Sequence, residues 1–478
     1  MRTAGAACVV VALLLMRVSG PANTQQPTTA AQPRSSAPAE PKPGVIAESI
    51  ECADSPGQTY AAYLPSHYSP TRKWPIVYAF DPGAEGIAPV RQLKDAAEEF
   101  GVIVVGSNNS RNGSSKAESD AAQAVWQDTH KRFALDDRQI FLSGFSGGAR
   151  LASRLAQNCK CAAGVFLNGA GFSDGSPPTK TDSFPVFLSA GMRDFNYGEL
   201  VGLDTQLDGL GYPHLLVRFD GRHDWAPPEV AREGLGWLLL QAIKQGRREK
   251  DPAFIHSQLA EAEKRAAELA AHSDTYIAWE YAHAMSATFS GLADALPFSA
   301  LAARLEADPL VKKGLKHEAE EIAAQQSLEG NILGLAQSLP ARSEERDQAV
   351  AELEHRVTVL RQQAEAHRNS VDDFAFERAR MGVFAFFVEG GSELLESNQR
   401  DDAVTYLKLG ALALPESPWP HALLARAYAL NNRKKETIAE LKRCRDTGMS
   451  GSDLRAMVER HAELRRYEGD GVLQMLLQ

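Results

Sequence analysis

The chain has 478 residues, more than one ordinary domain contains, so we expect two or three domains. Hydrophobic residues make up 44% of the sequence and charged residues 23%, a balance typical of globular proteins with a full hydrophobic core. The formal net charge of -10 disfavours nucleic acids and anionic membranes as main partners.

The N-terminus has the features of an export signal. Arg2 supplies a positive charge, residues 4–16 form an apolar stretch, and small residues follow that offer a cleavage site. The apolar stretch is short for a bilayer span, and an uncleaved N-terminal anchor is the alternative. We predict a signal peptide at residues 1–22, cleaved near residues 20–24, and export to the periplasm or the medium. Residues 23–44 have few large apolar side chains and predict a disordered linker.

Strand-like and helix-like segments alternate between residues 45 and 246. The predicted strands are 45–52, 58–64, 75–80, 102–106, 139–143, 164–167, 185–190 and 215–219. The predicted helices are 89–100, 117–133, 147–157, 197–210 and 229–243. The last six strands are continuous apolar runs, which is typical of a parallel sheet covered on both faces. We therefore predict a doubly wound, mostly parallel α/β domain of about eight strands over residues 45–246.

The sequence after the charged segment 245–252 is almost entirely helical in pattern. Residues 253–370 predict long, charged amphipathic helices with solvated faces. Residues 371–478 contain a spacing of 34 residues between similar positions, which resembles the tetratricopeptide repeat (TPR), with Pro415 at the position of that repeat's proline. The matched pairs are Ala403 with Thr437, Leu407 with Leu441, Gly410 with Cys444, Gly391 with Ala425 and Leu394 with Tyr428. Gly390 and the missing second proline depart from the pattern, and an unrelated helical hairpin array is the alternative.

A strand, a sharp turn and a helix meet at residues 144–148, Gly-Phe-Ser-Gly-Gly. This G-x-S-x-G pattern, with an apolar run before it and a helical pattern after it, is typical of a nucleophile elbow. Small flanking residues are needed because the serine of such a turn has a strained backbone. The following helix directs free N–H groups toward developing negative charge. Ser146 is therefore the predicted nucleophile.

A serine nucleophile needs a base, and the base needs an orienting carboxylate, in the chain order serine, acid, histidine. His223 is the predicted base, because it follows the last strand and so lies at the same sheet edge as the serine. Asp194, directly after the preceding strand, is the predicted acid. Asp220 and Asp224 are rivals through their nearness to His223 in sequence.

The oxyanion hole requires two N–H donors. Gly147, the residue after the nucleophile, is the first predicted donor. The second is expected from the loop after the third strand, where Pro82 has no N–H, so Gly83 or Ala84 is the predicted donor. Many hydrolases have His-Gly in this loop, whereas this chain has Asp81 and Pro82.

The segment 45–246 resembles the α/β-hydrolase superfamily, in particular secreted esterases related to polyhydroxybutyrate depolymerases and feruloyl esterases. Residues 144–148, the Asp194 loop and residues 221–225 carry the resemblance. It implies a Ser-His-Asp acyl hydrolase that uses no metal and no organic cofactor. The substrate stays open, because this fold hosts many chemistries.

Further residues flank the predicted site. The aromatic residues Phe145, Phe195, Tyr197 and Trp225 are candidates for an acyl pocket or for plain packing, and Asn108 is a candidate for hydrogen bonding to a polar substrate. Of the five cysteines, Cys52 is expected to pair with Cys159 or Cys161, since the latter two are close in sequence.

Two functions follow as hypotheses. The first is an exported serine esterase that acts on a small-molecule or polymeric ester, with helical repeats that bind a protein partner. The second is a scaffold in which a weakly catalytic or non-catalytic hydrolase-like domain supports protein binding through the TPR-like helices. Neither hypothesis includes nucleic acid, or a membrane beyond an N-terminal anchor.

Overall fold

The computed structural model describes residues 41–179, 181–272, 275–339, 344–368, 370 and 373–478. The predicted signal peptide and residues 23–40 of the predicted linker lie outside these residues. The described residues form two units, one ending at Glu320 and one beginning at Glu321.

The first unit contains an eight-stranded sheet in its described residues. The strands are β1 (Ala47–Glu51), β2 (Thr59–Tyr63), β3 (Trp74–Phe80), β4 (Ile103–Ser107), β5 (Leu135–Phe145), β6 (Ala162–Asn168), β7 (Val186–Gly191) and β8 (His214–Phe219). Their order is β1-β2-β4-β3-β5-β6-β7-β8. The β1–β2 and β2–β4 pairs are antiparallel, and all other pairs are parallel. The predicted fold class is confirmed.

Helices flank the sheet, and their apolar faces supply the rest of its core. They are α1 (Ile87–Phe100), α2 (Ser115–Arg132), α3 (Gly147–Cys159), α4 (Tyr197–Leu210) and α5 (Pro228–Lys244), with a short 3-10 turn at Ser173–Gly175. Every residue of β3, β6 and β7 is buried, which explains why these strands are apolar without alternation. Phe141, Phe166 and Phe187 lie in the same hydrophobic cluster as Trp237 and Leu238 of α5.

The order of the strands indicates at which edge of the sheet a ligand site is expected. Strand β3 lies between β4 and β5. The connection from β3 runs to β4 on one side, whereas the connection from β5 runs to β6 on the other side. Ligands of open α/β sheets bind outside the carboxyl ends of the strands at such a switch point. The loops that follow β3, β5, β7 and β8 all begin at this edge.

One cysteine prediction is wrong. Cys159 and Cys161 form a disulfide with each other, with their Cα atoms 5.1 Å apart. The turn between them is possible because Lys160 has a left-handed backbone, with φ of 55°. Cys52 is a free, buried thiol, and burial raises its pKa to about 11.

The chain is helical after the α/β segment. The helices are α6 (Pro252–His272), α7 (Thr275–Phe289), α8 (Leu296–Glu306), α9 (Pro309–Gln337), α10 (Glu344–Ala366), α11 (Ala375–Glu396), α12 (Arg400–Ala413), α13 (Trp419–Leu430), α14 (Lys434–Asp446), α15 (Gly451–Arg460), α16 (Ala462–Arg465) and α17 (Gly471–Leu476). Across the described helices, none has both the length and the apolar composition needed to cross a membrane.

The residues with the 34-residue spacing occupy equivalent positions in the second unit. Ala403 and Leu407 of α12 are fully buried, as are Thr437 and Leu441 of α14. Cys444 is likewise buried, and its thiol lies 3.7 Å from the carbonyl oxygen of Pro418. Membership of the TPR family stays a prediction.

Candidate active site

Ser146 occupies a sharp turn between β5 and α3. Its backbone angles are φ 53° and ψ -121°. Residues other than glycine rarely adopt this strained conformation, and it persists only where the surrounding structure enforces it. The Ser146 N–H donates to the carbonyl oxygen of Asn168 at 2.9 Å, which ties the turn to the end of β6. The hydroxyl is therefore held at the carboxyl edge of the sheet.

Close backbone contacts explain the two outer glycines of the G-x-S-x-G pattern. A Cβ on Gly144 would lie 2.1 Å from the carbonyl oxygen of Gly148. A Cβ on Gly148 would lie 1.9 Å from the carbonyl oxygen of Phe80, at the end of β3. Both distances are far below van der Waals contact, so any side chain at these positions would force the backbone of the elbow to shift.

Gly148→Ala is expected to destabilise the protein by about 1–3 kcal/mol, because the added methyl group forces β3 and α3 apart. Urea unfolding measures this change through the free energy of unfolding. Gly209→Ala is the matched control, since a Cβ on this exposed residue of α4 meets nothing within 4 Å. Alanine there is expected to add about 0.5–1 kcal/mol of stability. Equal stability of wild type and Gly148→Ala would contradict the close packing at the elbow.

The structure brings the three predicted triad residues together. His223 Nε2 lies 2.9 Å from Ser146 Oγ, and His223 Nδ1 lies 2.8 Å from Asp194 Oδ1. Asp194 follows β7 and His223 follows β8, so both reach the edge where Ser146 lies. An Nδ1–H that donates to the carboxylate leaves the Nε2 lone pair free to accept the serine proton. Their catalytic role stays a prediction.

Asn196 holds the Asp194 carboxylate in position. The N–H of Asn196 donates to Asp194 Oδ1 at 2.8 Å, and the Asn196 side chain donates to the carbonyl oxygen of Gly169, also at 2.8 Å. Asp194 Oδ2 is buried without a hydrogen-bond partner in the part of the chain that the structure describes. The carboxylate is fully buried, so its oxygen facing His223 is held in a dry environment.

A polar pair beneath the serine was missed by the sequence analysis. The Asn168 side chain donates to the carbonyl oxygen of Gly144 at 3.0 Å, and Ser189 Oγ donates to Asn168 Oδ1 at 2.9 Å. Both residues are buried near the carboxyl ends of adjacent strands, β6 and β7. Asn168 is the polar residue that ends the apolar run of β6, and Ser189 is a polar residue within the apolar run of β7. These interruptions are the sequence signal that points to the pair.

Two of the predicted acyl-pocket residues pack on the imidazole, and a third packs on one of these two. The ring of His223 lies 4.6 Å from that of Phe145 and 4.3 Å from that of Phe195, measured between centroids. Trp225 packs on Phe145 at 5.8 Å. All three aromatic side chains are buried, so they hold the histidine in place and exclude water from its surroundings.

Two predicted substrate-binding residues are engaged elsewhere. The Tyr197 hydroxyl donates to Glu318 and accepts from Arg218 Nε at 2.9 Å. The Asn108 side chain donates to the carbonyl oxygen of Glu48 at 3.1 Å and to Thr59 Oγ1 at 3.2 Å. The structure does not bring these two side chains to Ser146.

Asp81 organises the loop after β3. Its Oδ1 accepts from the N–H groups of Gly83 at 2.8 Å and Glu85 at 3.2 Å, and its Oδ2 accepts from Trp225 Nε1 at 2.9 Å. Burial raises the pKa of this carboxyl group, against the lowering effect of the three hydrogen bonds. Asp81 thereby links the predicted oxyanion loop to the loop that carries His223.

The two predicted oxyanion donors of this loop are both occupied. The Gly83 N–H donates to the Asp81 side chain, and the Ala84 N–H donates to the Asp81 carbonyl oxygen at 3.2 Å. Gly147, in contrast, is the first residue of α3, so its N–H precedes the intrahelical hydrogen bonds. Among the three predicted donors, only Gly147 has this position.

A group of side chains with metal-ligand chemistry lies at the other end of the sheet. Asp204, Asp208 and His214 have ligand atoms within 4.8 Å of one another. His214 begins β8, whereas His223 follows the end of this strand, so the group is separate from the triad. That the reaction needs no metal and no cofactor stays a prediction.

No family model matches this chain, and no curated protein is significantly similar to it. Solved structures give weak similarities. An S-formylglutathione hydrolase (FrmB) from Staphylococcus aureus is 15% identical, with a TM-score of 0.34, over 42% of this chain and 99% of that chain. An esterase from Pyrobaculum calidifontis is 15% identical, with a TM-score of 0.33, over 43% of this chain and 86% of that chain.

A third similar structure is the fluorophosphonate-binding serine hydrolase F (FphF) of Staphylococcus aureus. It is 15% identical, with a TM-score of 0.35, over 41% of this chain and 99% of that chain. The chemistry proposed below for this chain rests on the geometry around Ser146 alone.

Proposed function

We propose that this protein is a serine hydrolase that cleaves carboxylic esters through Ser146, His223 and Asp194. The observation that carries the proposal is the continuous chain of hydrogen bonds from Asp194 through His223 to Ser146, with the serine at the apex of a strained elbow. A hydroxyl, an imidazole and a carboxylate in this order activate a serine that is otherwise a poor nucleophile at neutral pH.

The reaction has two halves. In the first, Ser146 Oγ attacks the ester carbonyl while His223 Nε2 accepts the hydroxyl proton, and Asp194 stabilises the imidazolium that forms. The tetrahedral intermediate then collapses, and His223 returns the proton to the departing alcohol. In the second half, water attacks the acyl-serine with His223 again as base, which releases the acid and restores Ser146. The Gly147 N–H stabilises the negative oxygen of both intermediates.

A panel of p-nitrophenyl esters with increasing acyl length tests this proposal. The purified protein is expected to release p-nitrophenol catalytically from at least one ester of the series. Release that does not exceed the rate in buffer for every acyl length would reject the ester hydrolase.

Export is part of the proposal and rests on residues 1–22. The disulfide between Cys159 and Cys161 supports it, because disulfides persist in oxidising compartments. N-terminal sequencing of the protein from cell fractions tests it. A start near residues 20–24 in the exported fraction supports cleavage, whereas an intact Met1 in the cytoplasmic fraction contradicts it.

The scaffold hypothesis has one observation in its favour. Ser146 is fully buried and His223 is 4% exposed, so the triad is closed to solvent in this structure. A binding protein would use the helices of the second unit, with their TPR-like spacing, to hold a protein partner. Turnover by the full chain that is lost in the Ser146→Ala variant would support the enzyme and contradict the scaffold.

A further inference from the structure

The proposed reaction needs two hydrogen-bond donors at the oxyanion, and one of them is unaccounted for. Gly147 supplies the first N–H. The loop after β3 has Pro82, which has no N–H, and the N–H groups of Gly83 and Ala84 both donate to Asp81. Freeing either N–H would break the hydrogen bonds by which Asp81 holds this loop. The second donor must therefore be sought in a neighbouring loop.

The loop after β4 lies directly beside the loop after β3. Gly83 and Arg111 form an antiparallel bridge, and the Asn112 N–H donates to the carbonyl oxygen of Pro82 at 2.9 Å. Gly113 follows with φ of 144°, a backbone angle that favours glycine, and turns the chain into α2. These contacts fix the backbone of Asn112 at the same edge of the sheet as Ser146.

The side chain of Asn112 lies on Gly147. A Cβ built on Gly147 would be 1.8 Å from Asn112 Oδ1 and 3.0 Å from Asn112 Nδ2. The amide of Asn112 is therefore in contact with the residue whose N–H is the first oxyanion donor. Glycine at position 147 is explained by this contact, since any side chain there would displace the amide.

The amide nitrogen of Asn112 has unused hydrogen-bonding capacity. Its Nδ2 is buried and has no hydrogen-bond partner among the residues that the structure describes. Buried N–H donors are normally paired, because an unpaired one loses its hydrogen bonds to water without replacement. A donor left unpaired beside Gly147 gains a partner when negative charge develops at the oxyanion.

We propose that the side-chain amide of Asn112 donates the second hydrogen bond to the oxyanion, together with the Gly147 N–H. This inference rests on the proposed hydrolase function and assigns its missing donor. In this structure Oδ1 is the amide atom nearer to Gly147, and rotation of the amide by 180° exchanges its oxygen and nitrogen and brings Nδ2 to that position. A neutral amide serves this purpose at any pH at which His223 acts as a base, since it does not titrate.

Asn112→Ala tests the assignment with the full chain and a p-nitrophenyl ester that the wild type hydrolyses. We expect kcat to fall about 10²–10³-fold with KM changed less than about threefold, since the hydrogen bond strengthens in the transition state. Asn112→Asp keeps the side-chain size and presents an anion to the oxyanion, so its kcat should fall at least as far. Asn109→Ala is the control, because Asn109 lies in the same loop and its side chain hydrogen-bonds to the backbone of Thr59 and Gly57. It should keep the wild-type kcat.

Inhibition by a trifluoromethyl ketone distinguishes two roles for Asn112, a hydrogen-bond donor to the oxyanion or a structural residue. This inhibitor forms a tetrahedral adduct with serine that carries the oxyanion, so its affinity for Asn112→Ala should fall in parallel with kcat/KM. The affinity for the corresponding methyl ketone, which stays mostly unreacted, should stay unchanged. If Asn112→Ala lowers the melting temperature, the equal-sized Asn112→Asp variant decides.

The outcomes distinguish this inference from the proposed function. If wild type is active, Ser146→Ala is inactive and Asn112→Ala keeps the wild-type kcat, the hydrolase stands and Asn112 is not the donor. A higher kcat/KM in Asn112→Ala would likewise overturn the assignment, because it would show that the amide blocks substrate access to Ser146. A wild type with no activity toward any ester rejects both.

Discussion

Ser146→Ala is expected to lower kcat for a p-nitrophenyl ester by at least about 10⁴-fold, because removal of the nucleophile leaves only binding and the oxyanion donors. The protein should keep its fold. The Ser146 hydroxyl hydrogen-bonds to His223, whereas the elbow itself is held by backbone hydrogen bonds that do not involve the hydroxyl. Initial rates at saturating ester, with circular dichroism of the same samples, measure both expectations.

Ser153→Ala is the matched control for this substitution. Ser153 is a fully buried serine of α3, the helix that follows Ser146, and its hydroxyl donates to the carbonyl oxygen of Arg150 at 2.8 Å. This variant should keep a kcat near that of the wild type. Activity of Ser146→Ala within about tenfold of wild type would remove the serine from the mechanism.

Asp194→Asn is expected to lower kcat about 10⁴-fold with little change in KM. The neutral amide cannot stabilise the imidazolium, although it can occupy the same space between His223 and the Asn196 N–H. A full pH–rate profile measures this effect and also reports whether the loss persists at every pH.

Asp220→Asn and Asp224→Asn serve as controls, because these carboxylates are the rivals for the role of the acid. Asp220 pairs with Arg193 at 2.8 Å on the surface, and Asp224 accepts from the Trp225 N–H at 2.8 Å. Both variants should stay within about tenfold of the wild-type kcat. A larger loss in either variant than in Asp194→Asn would assign the acid to the loop of His223 instead.

The strands of the sheet could be predicted from the sequence because most are uninterrupted apolar runs. Their burial on both faces imposes this pattern, and β3, β6 and β7 are buried throughout. The start of β5 was missed, since the exposed Asp137 and Arg138 interrupt its apolar pattern. The order of the strands after the antiparallel β1–β2 pair comes from long-range packing, which no local pattern encodes.

The candidate site was predictable where backbone constraints leave a local signal. Gly144 and Gly148 are required by contacts below 2.2 Å for any added Cβ, and the positions of Asp194 and His223 follow from the strands before them. Contacts between side chains of distant loops left no such signal. The engagement of Asp81 with Trp225 and the position of Asn112 on Gly147 depend on how separate loops pack. Tyr197 was misplaced for the same reason, because its partner Glu318 lies 121 residues away in sequence.

The most direct test of the central claim is peptide mapping after labelling with a fluorophosphonate, which reacts with an activated serine. The folded wild-type protein should acquire one phosphonyl group on the peptide that contains Ser146, and heat-denatured protein or His223→Ala should acquire none. A folded protein that stays unlabelled at Ser146, or is labelled equally after denaturation, would contradict an activated nucleophile at this elbow.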